Sequence, residues 1–426
     1  MSTEQPVEHF FRHEYGKLVA SLSRQVGVHN IELVEDAVQV TLLKALELWT
    51  HSGKPDNPSA WLFRVAKNEV LSSLRTHTGR GNLLQHTQGE STDGGLWATT
   101  PVSANLVGDV RDDLLRMLFV CCASEIDTQS QLVLALKTLC GFSAREIALR
   151  LFVSEAKVYK RLQRARSHLQ QMPKDRFEFD DTCVSETLPN VRKVLYIIFT
   201  EGYLSSHAEF SIRENLCAEA IRLTTLLAEH SLGQSPETSA LLALMFLQRA
   251  RLHSRQDRSG GLLLLQEQDR EKFDQSAIAT GLWWLSDSAR GDCFSRYHAE
   301  AGIAAEHCLS PSFDETRWDR VVSCYELLER TTPSAIHRLN RAVAIAEHKG
   351  PRAGLAVLEG EAPPSWLSGS YLWSAVLADF HARLGHRNKA SRYRDMALNL
   401  ASSPAIAALL RKRLDLSAKT GCIEPM

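Results

Sequence analysis

No run of about 18 apolar residues occurs in this chain, so no membrane-spanning helix is expected. The longest apolar stretches, Leu241–Leu247 and Leu262–Leu265, are far too short. The opening MSTEQPVEHFFRHEYGK carries acidic residues and lacks an apolar core, which argues against a secretory signal and predicts a cytoplasmic location. Cysteine is sparse, nine in 426 residues, with one close pair, Cys121-Cys122, and no C-x-x-C. A disulfide framework, zinc ribbon or thioredoxin-type site is therefore not expected; buried reduced thiols are. Catalytic signatures are also missing: there is no H-E-x-x-H, G-x-S-x-G or G-x-x-x-x-G-K-[ST]. His207, His298 and His307 are accordingly read as scattered, satisfied structural histidines, and no catalytic residue, metal or cofactor is expected.

An excess of either charge is lacking too. Lys plus Arg number 49 and Asp plus Glu 50, a net charge of −1. Taken as a sum this argues against a nucleic-acid binder, because phosphate contacts demand cations. The charge is unevenly spread, however. Residues 54–80 hold five basic side chains (Lys54, Arg64, Lys67, Arg75, Arg80) against Asp56 and Glu69. Residues 81–127 hold two basic against seven acidic, and residues 143–170 hold seven basic against two acidic. Two basic islands separated by an acidic stretch fit two small DNA contacts joined by a DNA-repelling spacer; ordinary solvated helix faces fit as well.

What is present in quantity is helical period. Leu33, Val34, Ala37, Val38, Val40, Thr41, Leu42, Ala45, Leu46 and Trp49 recur at spacings of three and four, as do Trp61, Leu62, Val65, Ala66, Val70, Leu71 and Leu74. The turn cluster HSGKPDNPS separates the two runs. Trp61 shares its stripe with Leu62 and Val65 and is read as a core residue. The chain length suggests two or three domains, and the fold class is all-α. The boundaries are drawn at a helical domain over 1–80, an irregular acidic linker over 81–108, a second helical domain over 109–173, a short linker over 174–185, and an irregular helical stack over 186–426. Within that stack, residues 373–400 resemble a degenerate tetratricopeptide unit, with small Ala378, Ala390 and Ala397 at close contacts and Gly385 ending its first helix. Trp283, Trp284, Trp318 and Tyr325 are expected to pack between helices. Glu201, Tyr203 and Ser205 of EGYLSS either line a concave site or form a helix end.

The most specific local signal is GFSAREIALRLFVSEAKVYKRLQRARSHLQ, residues 141–170. Ser143 with Glu146 three residues on forms a capping box, and Phe142 and Ile147 stand at its hydrophobic-staple positions. After a break at Phe152-Val153, Ser154 caps a second helix whose buried face is Val158, Leu162, Ala165 and Leu169. Its outward face carries Glu155, Lys157, Lys160, Arg161, Arg164 and Arg166. Such a helix fits the major groove, its first turns reaching base edges and its later cations reaching phosphates. The motif alone does not choose between a repressor, an activator and a sigma factor.

The order of elements bears on that choice. The chain resembles the extracytoplasmic-function sigma factors, in particular the subgroup with a C-terminal helical, tetratricopeptide-like extension. Region two of that family is matched through HFFRHEYGKLVASLSRQVG, VEDAVQVTLLKALELW and NPSAWLFRVAKNEVLSSLRTH. Region four is matched through DDLLRMLFVCCASEI and the helix-turn-helix. The extension is matched through VLYIIFTEGYLSS, ENLCAEAIRLTTLLAE, ALLALMFLQRARLHSR, LLLLQEQDREKFD and LNRAVAIAEHKGPRAGLAVLE.

The resemblance implies binding to core RNA polymerase, through the clamp of its largest subunit and the flap of the second, and to promoter DNA, double- and single-stranded. By position it places Glu35, Asp36, Gln39 and Lys44 at the polymerase. Asp56, Asn57, Arg64, Lys67, Asn68, Ser72 and Arg75 fall at the minus-ten element, and Ser154, Glu155, Lys157, Lys160, Arg161, Arg164 and Arg166 at the minus-thirty-five element. The acidic linker then either follows the polymerase's nucleic-acid channels or acts as a plain tether. FVCCASEI departs from the family's common Cys-Cys-His-Pro-like string by lacking the His and Pro, so a structural turn is the reading for Cys121 and Cys122. The extension is expected to regulate the sigma domains within the same chain. A helix-turn-helix regulator with a ligand- or protein-sensing helical-repeat domain is the alternative.

Overall fold

The computed structural model describes residues 4–84, 106–151, 153–171, 181–203, 214–257, 263–359, 363–401 and 404–414. They form α-helices and short 3-10 turns, and no strand is found among them. The chain divides into two compact units, residues 1–198 and 199–426.

The first unit contains α1 (Glu4–Val26), α2 (Ile31–Ser52), α3 (Pro58–Leu84), α4 (Leu106–Cys121), α5 (Thr128–Thr138), α6 (Ala144–Leu151), α7 (Glu155–Gln171) and most of α8 (Asp181–Tyr203). The two parts expected from sequence as separate helical domains here share a core. Helix α1 packs on α2 and α3 on one side and on α4 and α5 on the other. Its Leu18, Val19 and Leu22 are buried, as are Leu114, Met117 and Leu118 of α4. Arg24 of α1 donates to the buried carboxylate of Asp113 on α4 at 2.9 Å. Burial pushes the Asp113 carboxyl above its ordinary range, and Arg24 opposes that shift. The acidic linker is shorter than expected at both ends: α3 runs on to Leu84 and α4 begins at Leu106. The rest of that linker lies outside the described residues, as does most of the 174–185 segment.

The Cys121-Cys122 pair closes α4. Both thiols are buried and free, and burial pushes both up. The buried amide of Gln131 donates to the carbonyls of Cys122 and Ala123 at 3.1 and 2.8 Å, which fixes the turn. This is the structural role expected of that string.

The second unit continues with α9 (Glu214–Glu229), α10 (Pro236–Ala250), α11 (Gln275–Ser288), α12 (Arg296–Leu309), α13 (Trp318–Thr331), α14 (Ala335–Lys349), α15 (Pro351–Leu358), the single turn α16 (Ser365–Ser368), α17 (Tyr371–Arg383), α18 (Arg387–Asn399) and α19 (Pro404–Arg413). Each helix packs chiefly on its chain neighbours, as in a solenoid. Helix α10 is the exception. It touches α9, α11 and α12 and is buried almost all round, which explains its unbroken apolar sequence. The tetratricopeptide-like pair is α17 and α18, turned by Gly385 at φ +76°, with Ala378, Ala390 and Ala397 fully buried. Trp318 packs against Phe313 and His307 as expected. Trp283 does not: it is 57% exposed, because its face of α11 has no neighbour among the described residues beyond the adjoining Trp284.

Gly16 marks the closest approach inside the first unit. A Cβ built there lies 2.4 Å from the carbonyl oxygen of Leu139, at the end of α5. In an open helix Gly→Ala stabilises by about 1 kcal/mol. Here the methyl meets backbone, so Gly16→Ala is expected to destabilise by about 1–3 kcal/mol. Urea unfolding of the two proteins checks this, and a more stable variant contradicts it.

Candidate functional site

The local signals at the helix-turn-helix are realised atom by atom. The Ser143 amide donates to Glu146 Oε2 at 2.8 Å and the Glu146 amide to Ser143 Oγ at 3.2 Å, a complete capping box. Ser154 Oγ accepts from the Lys157 amide at 3.3 Å and starts α7. Phe142, Ile147, Val158, Leu162, Ala165 and Leu169 are all buried. Glu155, Lys157, Lys160 and Arg164 stand exposed on the far side of α7, beside the exposed Tyr159. Arg161 is half-buried, and its Nη1 is enclosed without a partner among the described residues.

Arg166 does not belong to the outward face on which the sequence pattern set it. It lies on the Leu162 side of α7 and turns to α2. Its Nη1 donates to Glu32 at 2.7 Å and its Nη2 to Glu35. Glu35 is itself buried, 1% exposed, and its other oxygen accepts from Thr138 Oγ1 at 3.0 Å. Burial lowers the Arg166 guanidinium's affinity for its proton, but Glu35 and Glu32 outweigh it, and the net shift is upward. A residue expected at DNA thus holds a residue expected at polymerase. The reason is geometric. Residue 166 is four beyond Leu162 on a 3.6-residue helix and shares its buried side, and α7 packs on the 3-10 turn at Val28–Asn30 that leads into α2.

The other expected polymerase residues lie along α2. Asp36 and Gln39 are exposed, and Lys44 is paired with Glu69 of α3. Beside them lies a feature that charge alone does not show: Val40, Leu43 and Leu46, at spacings of three, are 40–60% exposed. An apolar stripe of this kind marks a docking face. Residues of α1, α2 and the helix-turn-helix enclose a groove of about 1340 Å³, with Tyr15, Gln39, Leu46, Glu146, Tyr159 and Arg166 among its walls. The signal for the stripe was in the sequence, where apolar residues of α2 exceed what one buried face can hold.

The expected minus-ten residues are gathered at α3 and the turn before it. Asn57 Oδ1 accepts from the Ala60 amide at 3.0 Å and so serves as the helix cap. Arg64, Asn68, Ser72 and Arg75 are exposed at spacings of four, four and three, which puts them on one face; Lys67 flanks them half-buried. Trp61 sits edge-on to Trp49 at 5.6 Å, and Trp49 stacks on Phe11 at 5.8 Å, so Trp61 is part of the packing. In the second unit, Tyr203 is buried beneath Arg255, which lies 4.0 Å over its ring, while Ser205 and His207 fall outside the described residues. No cluster of metal-ligating side chains and no helix long and apolar enough to cross a membrane is found among the described residues.

Comparison with known proteins agrees with this geometry. Residues 11–80 match the family Sigma-70 region 2 and residues 116–169 match Sigma-70, region 4. Residues 187–289 match a family of unknown function, DUF6596. An uncharacterized protein of Rhizobium meliloti (strain 1021) is 33% identical over 392 residues, covering 91% of this chain and 90% of that protein. A probable RNA polymerase sigma factor of Haemophilus influenzae is 24% identical over 155 residues, covering 34% of this chain and 79% of that protein. No solved structure matches. The chain belongs to the sigma-70 family, as an extracytoplasmic-function-like sigma factor with a C-terminal helical extension. Its class is that of a transcription initiation factor, and its sigma regions imply binding to core RNA polymerase and promoter DNA.

The Glu35–Arg166 contact makes a direct prediction. Removing Arg166 leaves a carboxylate buried without its counter-charge, so Arg166→Ala is expected to cost about 3–5 kcal/mol. Glu35→Gln combined with Arg166→Met is expected to cost less than Arg166→Ala alone. Denaturant unfolding of the three variants checks the order.

Proposed function

We propose that this sigma factor docks on the polymerase clamp through α2, by the apolar stripe around Leu43 and Leu46 with Asp36 and Gln39 beside it. Lys44 acts through its pairing with Glu69, and Glu35 acts from beneath as a positioning residue. The helix-turn-helix then meets the polymerase flap and the minus-thirty-five element. Ser154, Glu155 and Lys157 face bases, and Lys160, Arg161 and Arg164 face phosphates. The exposed row Arg64, Asn68, Ser72 and Arg75, with Lys67, Asp56 and Asn57, holds the opened minus-ten strand, where cations serve phosphates and amides serve base edges. The C-terminal unit regulates these steps.

The observation that best supports this reading is the division of α7. Four of its charged side chains stand clear of the protein, while Arg166 is held at α2. Engagement of Arg166 by DNA requires its release from Glu32 and Glu35. Promoter binding by the free protein is therefore weak, and polymerase supplies the register that the near-neutral chain cannot.

Run-off transcription with core polymerase and a cognate promoter tests the proposal. The full chain is expected to restore specific initiation, which a stand-alone DNA-binding regulator does not do. Arg161→Ala with Arg164→Ala is expected to lower promoter binding at least about tenfold and leave core binding intact. Asp36→Ala is expected to do the reverse. Equal loss of both functions in both variants contradicts the assignment. Deleting the chain beyond residue 198, where the first unit ends, is expected to change promoter-directed output, and unchanged output at every promoter tried contradicts the regulatory role.

A further inference from the structure

The second unit brings two arginines and a histidine together, and no ion pair to an acid is found for either arginine among the described residues. Arg251 follows α10 and is 6% exposed. Arg270 stands in the 3-10 turn Arg270–Lys272, and His307 ends α12 at 9% exposed. The three segments are tied together. The Asp274 amide donates to the Ala250 carbonyl at 2.9 Å, Arg270 Nε donates to the Ser310 carbonyl at 2.8 Å, and Arg251 Nη2 donates to Gln268 Oε1 at 3.0 Å. Each of these groups has a buried nitrogen with no partner among the described residues: Nε of Arg251, Nη2 of Arg270 and Nδ1 of His307.

The groups also sense one another electrically. Burial pulls the His307 imidazole down to about 3, and both arginines add to that shift, so the ring is neutral in this setting. Burial and then Arg251 lower the affinity of Arg270 for its proton, although a guanidinium stays charged throughout the physiological range.

Among the described residues no ion pair joins a carboxylate to Arg251 or Arg270. Of the acids near in the chain, Glu306 is engaged by Arg317 and Arg320, Glu267 by Lys412, Asp269 by Lys272 and Asp274 by Arg249, while Glu271 is exposed. A buried guanidinium beside a second, part-buried one, with no counter-ion, is costly, and a buried N–H without an acceptor adds to the cost. An anion of the right size removes both penalties at once. Guanidinium forks suit the planar carboxylate and the tetrahedral phosphate, and a neutral imidazole can supply one further N–H.

We propose that Arg251, Arg270 and His307 form a binding site for a small oxyanion, the carboxylate or phosphate group of a low-molecular-weight ligand. The C-terminal unit is then a ligand-binding part of the sigma factor. The site uses none of the residues assigned to polymerase or promoter, so it stands or falls apart from that reading.

The test is isothermal calorimetry on the full chain in low-chloride buffer, with inorganic phosphate in one arm and succinate in the other. Saturable binding of one anion per chain is expected, and the arm that binds more tightly tells a phosphorylated ligand from a carboxylate. Arg270→Gln and Arg251→Gln are each expected to weaken it about tenfold to a hundredfold, the loss of one charge-assisted hydrogen bond. Arg270 is only part-buried, so its variant decides the matter if Arg251→Gln does not fold. Arg161→Ala with Arg164→Ala is expected to bind the anion as the parent does. Absence of saturable binding in both arms overturns the proposal. So does unchanged affinity in Arg270→Gln, or loss of binding in the Arg161/Arg164 variant, which would move the anion to the DNA-facing helix.

Discussion

A single buried carboxylate holds the arrangement of the first unit. Glu35 has no access to water, so its charge must be met from within the protein. Thr138 of α5 and Arg166 of α7 meet it, and both lie in region four while Glu35 lies in region two. The packing of α1 on α4 and α5, and of α7 on the turn before α2, is consistent with this polar join. A buried ion pair is weak as a source of net stability, because desolvation takes back most of the Coulomb gain. Its value here is specificity: other registers of α7 against α2 leave Glu35 unanswered.

The same join withdraws Arg166 from the exposed side of α7. While Arg166 serves Glu32 and Glu35 it cannot serve a phosphate. The exposed cations of α7 are free of that conflict, as are those along α3. The near-zero net charge of the chain therefore conceals cations that differ in availability, some standing in solvent and one already occupied.

Features set by near neighbours in the chain were legible in the sequence. The capping box at Ser143 and Glu146, the cap at Ser154, the glycine turn at Gly385 and the buried alanines of α17 and α18 depend on residues a few positions apart, and all are found as read. Features set by distant partners were not. The inward turn of Arg166 depends on a carboxylate 131 residues away. Trp283 is expected to pack because tryptophan usually does, but among the described residues no helix covers its side of α11. His307, expected to be a satisfied histidine, has an enclosed Nδ1 with no partner among the described residues. The acidic linker was drawn too long because Gly and Thr near its ends masked helical turns that continue α3 and begin α4. Of the residues set at polymerase and promoter, the spacing predicted which share a helix face; it could not predict which are occupied by one another.

Gly16 gives this design an adjustable fulcrum. The hydrogen atom on its α-carbon is all that separates α1 from the carbonyl at the end of α5. Side chains of rising volume at this one position act as graded wedges, each adding strain where α1 meets α5. Such a series loads the join between the sigma regions without altering any charged group. The tightness of that join is thus set from the interior, at a residue with no side chain.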